Sequence, residues 1–342
     1  MKRLTAVLLA MTLLCGCAAP AVPGQTVVTE PSPFETEPTT SETAPLTQAA
    51  QDPPSPAPSF PPEESLRLMD IPPLPSFTVL QPEAPGIQEE RCAEAVIDYS
   101  NAAEGYVMVQ YTADTQARLK VLVNGPGTTY SYNLPKQEWT VFPLSDGNGY
   151  YTIGVYLNVS GTKYATVMSA GFQVTLTDEF APFLRPNQYV NYVDAPNTVA
   201  LGALLTMGLD HPLEKVAAVY DHVIHNFTYD NEKAATVKSG YLPDLDTVLE
   251  QKKGICFDYA ALMTAMLRSQ QVPCKLVVGY AGSVYHAWIS VWTEENGWID
   301  GAIFFDGQVW KRMDPTFASS GEGDPDIMNF IENGEYRVRY LY

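Results

Sequence analysis

The 342-residue sequence predicts an α+β chain in three parts: an extended N-terminal tether, a small β-sandwich, and a C-terminal domain of helices followed by antiparallel strands. Three observations predict it. Residues 18–90 hold 17 of the 28 prolines and a single basic residue, Arg67. Residues 91–176 show short alternating apolar runs between turn signals. From about residue 177 the apolar spacing becomes helical, and alternation returns after about residue 275.

The first residues precede the fold. Lys2 and Arg3 lead into Leu4–Leu14, an apolar run too short to anchor stably across a bilayer. That is the pattern of a secretory signal. It ends in Leu14-Cys15-Gly16-Cys17, which resembles a bacterial lipobox. A lipobox places a small residue before the modified cysteine, so Gly16 selects Cys17 and Leu14 disfavours Cys15. Residues 1–16 are therefore read as a lipoprotein signal peptide and Cys17 as the lipidated residue. Residues 17–90 follow as a tether rich in Pro, Thr, Ser and Glu. Such a segment cannot bury enough apolar surface to offset its conformational entropy, so it is expected to be disordered.

The sandwich is expected over 91–176. Tyr106–Tyr111 reads as a strand. Leu119–Val123 runs into the turn Asn124-Gly125-Pro126-Gly127 and then Tyr130–Tyr132. Further strands are expected at Trp139–Leu144, Tyr150–Val159, Tyr164–Met168 and Phe172–Leu176. Strands at this spacing suggest an immunoglobulin- or fibronectin-like sandwich. Its alternating aromatics read as core and cross-strand packing.

The C-terminal domain is expected over 177–342. Thr198–Leu209 and Leu213–Phe227 have helical periodicity, and Pro243–Gln251 reads as a short helix. Cys256–Gln270 is a strongly apolar helix. Strands follow at Lys275–Tyr280, Tyr285–Trp292, Val309–Met313 and Tyr336–Tyr342. The stretch from Trp298 to Gln308 reads as a long loop.

Three residues of this domain suggest chemistry. Cys256 opens a helix two positions after Gly254. The positive end of a helix dipole favours a thiolate, and the first N–H groups there are available to an oxyanion. Taken alone, Cys256 would read as a small buried hydrophobe. His286 lies in Tyr285-His286-Ala287-Trp288, where alternation puts His286, Trp288 and Ser290 on one strand face and Ala287, Ile289 and Val291 on the other. A strand holds an imidazole rigidly, which suits a general base. Asp314, in Met313-Asp314-Pro315, sits at a strand end and could orient the histidine. Its plain alternative is a turn aspartate. Asp300 and Asp306, beside glycines in the expected loop, rank below it, and Asp258 reads as a first-turn helix charge. His222 and His225 lie three apart on a helix, but without a third histidine or matching carboxylates they read as structural or surface residues, as does His211.

These segments resemble the transglutaminase-like superfamily. GICFDYA resembles its nucleophile motif, YHAWISV its histidine strand and MDPTF its aspartate motif. Gln271–Tyr280 resembles the link between the first two, and Asn226–Asp230 the helix end before the core. The resemblance covers about the last 160 residues. It implies a papain-like cysteine-enzyme fold, with Cys256 as nucleophile, His286 as base and Asp314 as its orienting acid. It also implies acyl transfer from a protein or peptide carboxamide through a thioester, ending in hydrolysis or in an amine crosslink. No cofactor or metal is implied. The family completes its oxyanion hole with a side chain that the sequence does not locate. A non-catalytic envelope binding or scaffold protein is the second reading, favoured had the three residues been incomplete.

Charge narrows the partners. The chain carries a formal −19, which removal of the leader takes to about −21. So acidic a protein is not expected to bind nucleic acid or to adhere electrostatically to anionic lipid. Membrane attachment is expected through the lipid on Cys17, which places the chain outside the cytoplasm. There a wall-associated protein or peptide is the expected partner. After Cys17, Cys92, Cys256 and Cys274 remain, too few for a disulfide framework although one pair could form.

Overall fold

The computed structural model describes residues 79–300, 302–305, 310–313 and 335–342. The expected leader, Cys17, most of the expected tether, Asp306 and Asp314 lie outside the described residues.

Eight strands build the sandwich: β1 (Glu89–Arg91), β2 (Ala95–Asp98), β3 (Tyr106–Tyr111), β4 (Leu119–Asn124), β5 (Thr129–Asn133), β6 (Thr140–Pro143), β7 (Gly149–Ser160) and β8 (Lys163–Val174). They form two antiparallel sheets, ordered β1-β2-β3-β6 and β5-β4-β7-β8. Alternation decides which side faces inward: Leu119, Val121 and Val123 of β4 are buried, as are Tyr130 and Tyr132 of β5. β8 is one strand where the sequence suggests two, Tyr164–Met168 and Phe172–Leu176. Its partner β7 is equally long, and an irregularity in register between Val155 and Tyr156 absorbs the misfit. Gly171 lets the chain continue, because a Cβ there would meet the Tyr150 hydroxyl.

The expected end of the tether needs correction. β1 begins at Glu89, inside it, and the residues before β1 are fastened to the sandwich. Gly86 N–H donates to Asp98 Oδ2 at 2.6 Å, and the N–H groups of Ile87 and Gln88 both donate to Ser100 Oγ. Proline content signals an extended chain but does not distinguish a free one from one held by side-chain acceptors.

The C-terminal part opens with α1 (Pro196–Leu205), α2 (Pro212–Asn226), β9 (Thr228–Tyr229), α3 (Asn231–Thr236), α4 (Leu245–Gln251), β10 (Lys253–Gly254) and α5 (Cys256–Ser269). Strands β11 (Cys274–Ala281), β12 (Val284–Thr293), β13 (Gly297–Asp300), β14 (Ala302–Phe305), β15 (Trp310–Met313) and β16 (Tyr336–Leu341) complete it. The main sheet is antiparallel with order β13-β12-β11-β16, and β14 pairs with β15. All fourteen residues of α5 are buried. A helix apolar on every side belongs in the centre. There α5 packs between the β11–β12 face of the sheet and the helices α1, α2 and α4.

The stretch 298–308 is not simply the expected loop. Gly297, at φ 69°, turns the chain from β12 into β13, and β14 follows at once. Asp300 is the last residue of β13 and pairs with Ser290. Strands of four residues beside glycines carry too little alternation to be read from sequence.

The two parts share one core. Tyr130 and Tyr132 of β5 meet Tyr342 at ring centroid distances of 5.8 Å each, and Tyr342 meets Tyr189 at 4.6 Å. Tyr189 in turn stands edge-on to Phe257 of α5 at 5.4 Å. Arg268, fully buried near the end of α5, ties three segments together. Its Nε donates to Cys274 O at 2.8 Å, Nη1 to Arg185 O at 2.8 Å and Nη2 to Tyr342 O at 2.6 Å.

Candidate active site

Local geometry at the start of α5 follows from the sequence Gly254-Ile255-Cys256-Phe257-Asp258. Ile255 is extended and serves as N-cap position, and Cys256 is the first helical residue. Asp258, at the third, turns back so that its Oδ2 accepts the Ile255 N–H at 2.9 Å. That is the carboxylate half of a capping box. It also explains Gly254: a Cβ there would lie 2.7 Å from Asp258 Cβ. The glycine before the cysteine is thus demanded by the aspartate after it.

Asp258 is more than the first-turn charge expected from sequence. Its side chain is fully buried, and it receives Lys233 Nζ at 2.6 Å on Oδ2 and the Tyr241 hydroxyl at 2.6 Å on Oδ1. Lys233 Nζ also donates to the Tyr241 oxygen at 2.6 Å and lies 4.3 Å from the centre of its ring. Burial, and then the Asp258 carboxylate, hold the Tyr241 phenol well above its ordinary range. The partners stand 25 and 17 residues away in the chain, so spacing gave no sign of them.

His286 is the third residue of β12 and is buried, at 4 % exposure. It pairs across the ladder with Gly279. Its ring stacks on Trp288 at 6.2 Å and 22°, as alternation predicts, and Trp288 stands edge-on to Tyr336. Ala287, Ile289 and Val291 share the other face with Cys274, whose Sγ lies 3.6 Å from Thr264 Oγ1 of α5. Gly279 has to be glycine, since a Cβ there would run into Arg337 O of β16 and lie 2.9 Å from Trp288.

Cys256 and His286 line the same cavity, of about 180 Å³. They reach it because each sits near the beginning of its element, Cys256 at the first residue of α5 and His286 close to the start of β12. Among the described residues the walls are otherwise apolar or phenolic: they include Ala234, Ala235 and Val237 from α3 and its C-terminal end, Phe257, Val278, and the tyrosines Tyr229 and Tyr285. Sequence reasoning missed Tyr229. The short β9 pairs with β10 in parallel, placing Tyr229 opposite Gly254, two residues before the cysteine. A two-residue strand leaves no periodic signal.

The other histidines and the other described cysteines are not among the described residues of this lining. His211 caps α2, its Nδ1 accepting the Leu213 N–H at 3.2 Å. His225 Nδ1 lies 2.8 Å from Asp221 O, and the His222 ring packs on Phe227. Burial, and then Lys252, lower the His222 pKa. Cys274 is buried beneath the sheet and Cys92 half-buried in the sandwich; both are free thiols, as is Cys256. Burial pushes the Cys274 thiol up to about 11, against the pull of Arg268 and Thr264. Among the described residues, no group of three or more His, Cys, Asp or Glu side chains could hold a metal ion.

Known proteins are similar to part of this domain. Residues 199–301 match the family model of the transglutaminase-like superfamily. An uncharacterized Bacillus subtilis protein, YebA, is 29% identical over 132 residues, which cover 32% of this chain and 18% of that protein. A protein-glutamine gamma-glutamyltransferase of Pseudomonas aeruginosa is 29% identical over 119 residues, covering 30% and 17%. The matches therefore span less than a fifth of either relative's length. Among solved structures, red sea bream transglutaminase aligns with a TM-score of 0.25 and 12% identity over 68% of this chain and 56% of that one. The match over 199–301 takes in α2, β9, α5 and the strand carrying His286, and over that span the C-terminal domain is similar to the transglutaminase-like superfamily.

Proposed function

We propose that the chain is a cysteine-dependent acyl-transfer enzyme acting on protein or peptide carboxamides. The observation that carries this is the shared cavity, with Cys256 on a helix N-terminus and His286 on a rigid strand in its walls. His286 takes the thiol proton, and the Cys256 sulfur attacks the carboxamide carbon. As the tetrahedral intermediate collapses, the C–N bond breaks and His286 returns the proton to the leaving ammonia or amine. Water or a second amine then cleaves the thioester, giving hydrolysis or a crosslink. The N–H groups of the first turn of α5 serve the developing oxyanion. The Tyr229 phenol is our choice for the added side-chain donor. Asp314 orients His286 in this reading, from outside the described residues.

Among the described residues, the cavity lining besides Cys256 and His286 is apolar or phenolic, which suits a neutral carboxamide better than a charged side chain. The location belongs to the same proposal: Cys17 lipidated, the tether expected over 17–90 as spacer up to the strand that begins at Glu89, and the sandwich with its catalytic neighbour facing wall-associated protein or peptide.

The test is differential alkylation. Iodoacetamide with peptide mapping should modify Cys256 faster than Cys92 at a pH well below the free-thiol value of about 8.5, although Cys92 is the more exposed. His286→Ala should slow Cys256 alone, and Tyr229→Phe should lower turnover of a glutaminyl peptide without changing that alkylation. If Cys256 reacts no faster than Cys92 and is indifferent to His286→Ala, the nucleophile assignment fails.

A further inference from the structure

Asp258 is a fully buried carboxylate two residues from the cysteine and on the same helical turn. A negative charge in that position opposes formation of a thiolate. Nothing in the acyl-transfer steps uses Asp258. Its place is fixed by the Ile255 N–H, and its charge is met by Lys233, reached from α3. Lys233 is itself held: its backbone N–H donates to Asp230 Oδ1 at 3.0 Å, which caps α3, and Lys253 Nζ binds the same oxygen at 3.2 Å. The next two residues, Ala234 and Ala235, form a wall of the cavity.

We infer that Lys233 is a positioning residue for Cys256: by neutralising Asp258 and clamping α3 to the first turn of α5, it keeps the thiol reactive and the cavity wall in place. The inference rests on the nucleophile reading above. Three observations distinguish this clamp from an ordinary surface ion pair. Asp258 has no exposure, the three side chains Lys233, Tyr241 and Asp258 contact one another pairwise at 2.6 Å, and Gly254 is glycine to admit the carboxylate. A surface pair contributes little, whereas a buried carboxylate that loses its cation is left uncompensated. Among the described residues, the charged and titratable groups around Cys256 include Asp258 on its own helix and Lys233 from α3. Tyr241 approaches from the segment before α4 and Tyr229 from β9. Asp230 and Lys253 flank β9 and β10, and His286 and Tyr285 come from β12.

The experiment is the pH profile of Cys256 alkylation in the full chain, read by peptide mapping, for the parent and three variants. Lys233→Met should raise the midpoint by about one pH unit and slow alkylation at neutral pH about tenfold, because an adjacent like charge disfavours the thiolate. Lys233→Met/Asp258→Asn removes both charges and should bring the midpoint most of the way back. Tyr241→Phe keeps both charges and should shift it in the same direction by less, which preserves the test should the single Lys233 variant not fold. A purely structural clamp predicts instead that the midpoint stays put in every variant that folds. A low parent midpoint left unmoved by Lys233→Met or by Tyr241→Phe would overturn this proposal alone. A parent midpoint at the ordinary thiol value would overturn the nucleophile reading, and this proposal with it.

Discussion

Replacing Arg268 by Met should cost about 3–5 kcal/mol of stability, the range for breaking a buried charged contact. The guanidinium is fully buried and gives hydrogen bonds of 2.8, 2.8 and 2.6 Å to the carbonyls of Cys274, Arg185 and Tyr342. Hydrogen bonds to a charged group contribute roughly 1.5–3 kcal/mol each, so three would sum to about 4.5–9 kcal/mol, above the expected loss. Two effects reduce it. Met does not have to be desolvated as a cation, a cost visible in the Arg268 pKa, which burial lowers to about 10. The carbonyls also relax towards other donors. Lys would not substitute, because it lacks the planar fork that reaches three acceptors at once. The loss should be measured by urea unfolding followed by tryptophan fluorescence, with the slope m unchanged. Activity per folded molecule should persist, because twelve residues of helix, about 18 Å, separate Arg268 from Cys256. A loss under about 1 kcal/mol would refute the argument that Arg268 joins the end of α5 to the C-terminal strand.

Gly254→Ala should cost about 1–3 kcal/mol and slow Cys256 alkylation, because the new Cβ would lie 2.7 Å from the Cβ of an Asp258 pinned by three donors; normal stability and reactivity would show that Asp258 can yield. Cys274 should make the fold alkali-sensitive: the unfolded thiol ionises near 9.0 and the folded one near 11, so the unfolded state binds fewer protons between those values and stability is lost there as pH rises. The two units correspond to about 2–3 kcal/mol, and Cys274→Ala should flatten the fall in urea midpoints by that share; parallel curves would contradict it. Cys17→Ser should move the chain out of the membrane fraction of expressing cells, and retention equal to the parent's would end the lipid-anchor proposal.

The C-terminal domain was legible where periodicity is long. The helix expected at Cys256–Gln270 is observed at Cys256–Ser269, and the strand expected at Tyr285–Trp292 at Val284–Thr293. In both, a long apolar run makes burial and backbone preference agree. Legibility fails where elements are short or partners distant. β9, β10 and β13 have two to four residues, too few for a period, yet β9 brings Tyr229 to the cavity. β2 is buried at all four positions and so shows no alternation. Asp258 looked like a helix-start charge because a carboxylate at N3 accounts for itself locally. Its charge is met by Lys233 and Tyr241, and a contact between two helices and the segment before a third is set by the fold, not by any spacing in the chain.

The sandwich and the site are mechanically joined. β12 carries His286 and pairs with β11, and β11 pairs on its other edge with β16. The β16 strand leads to Tyr340 and Tyr342, whose rings lie 5.9 and 5.8 Å from that of Tyr130 in the sandwich. Tyr189, on the segment between the two parts, touches both Tyr132 and Phe257, the residue after Cys256. Packed aromatic rings in a close-packed interior have little room to shift independently. The sandwich therefore braces the histidine strand through β16 and the cysteine helix through Tyr189. That coupling makes it part of the frame that fixes the cavity.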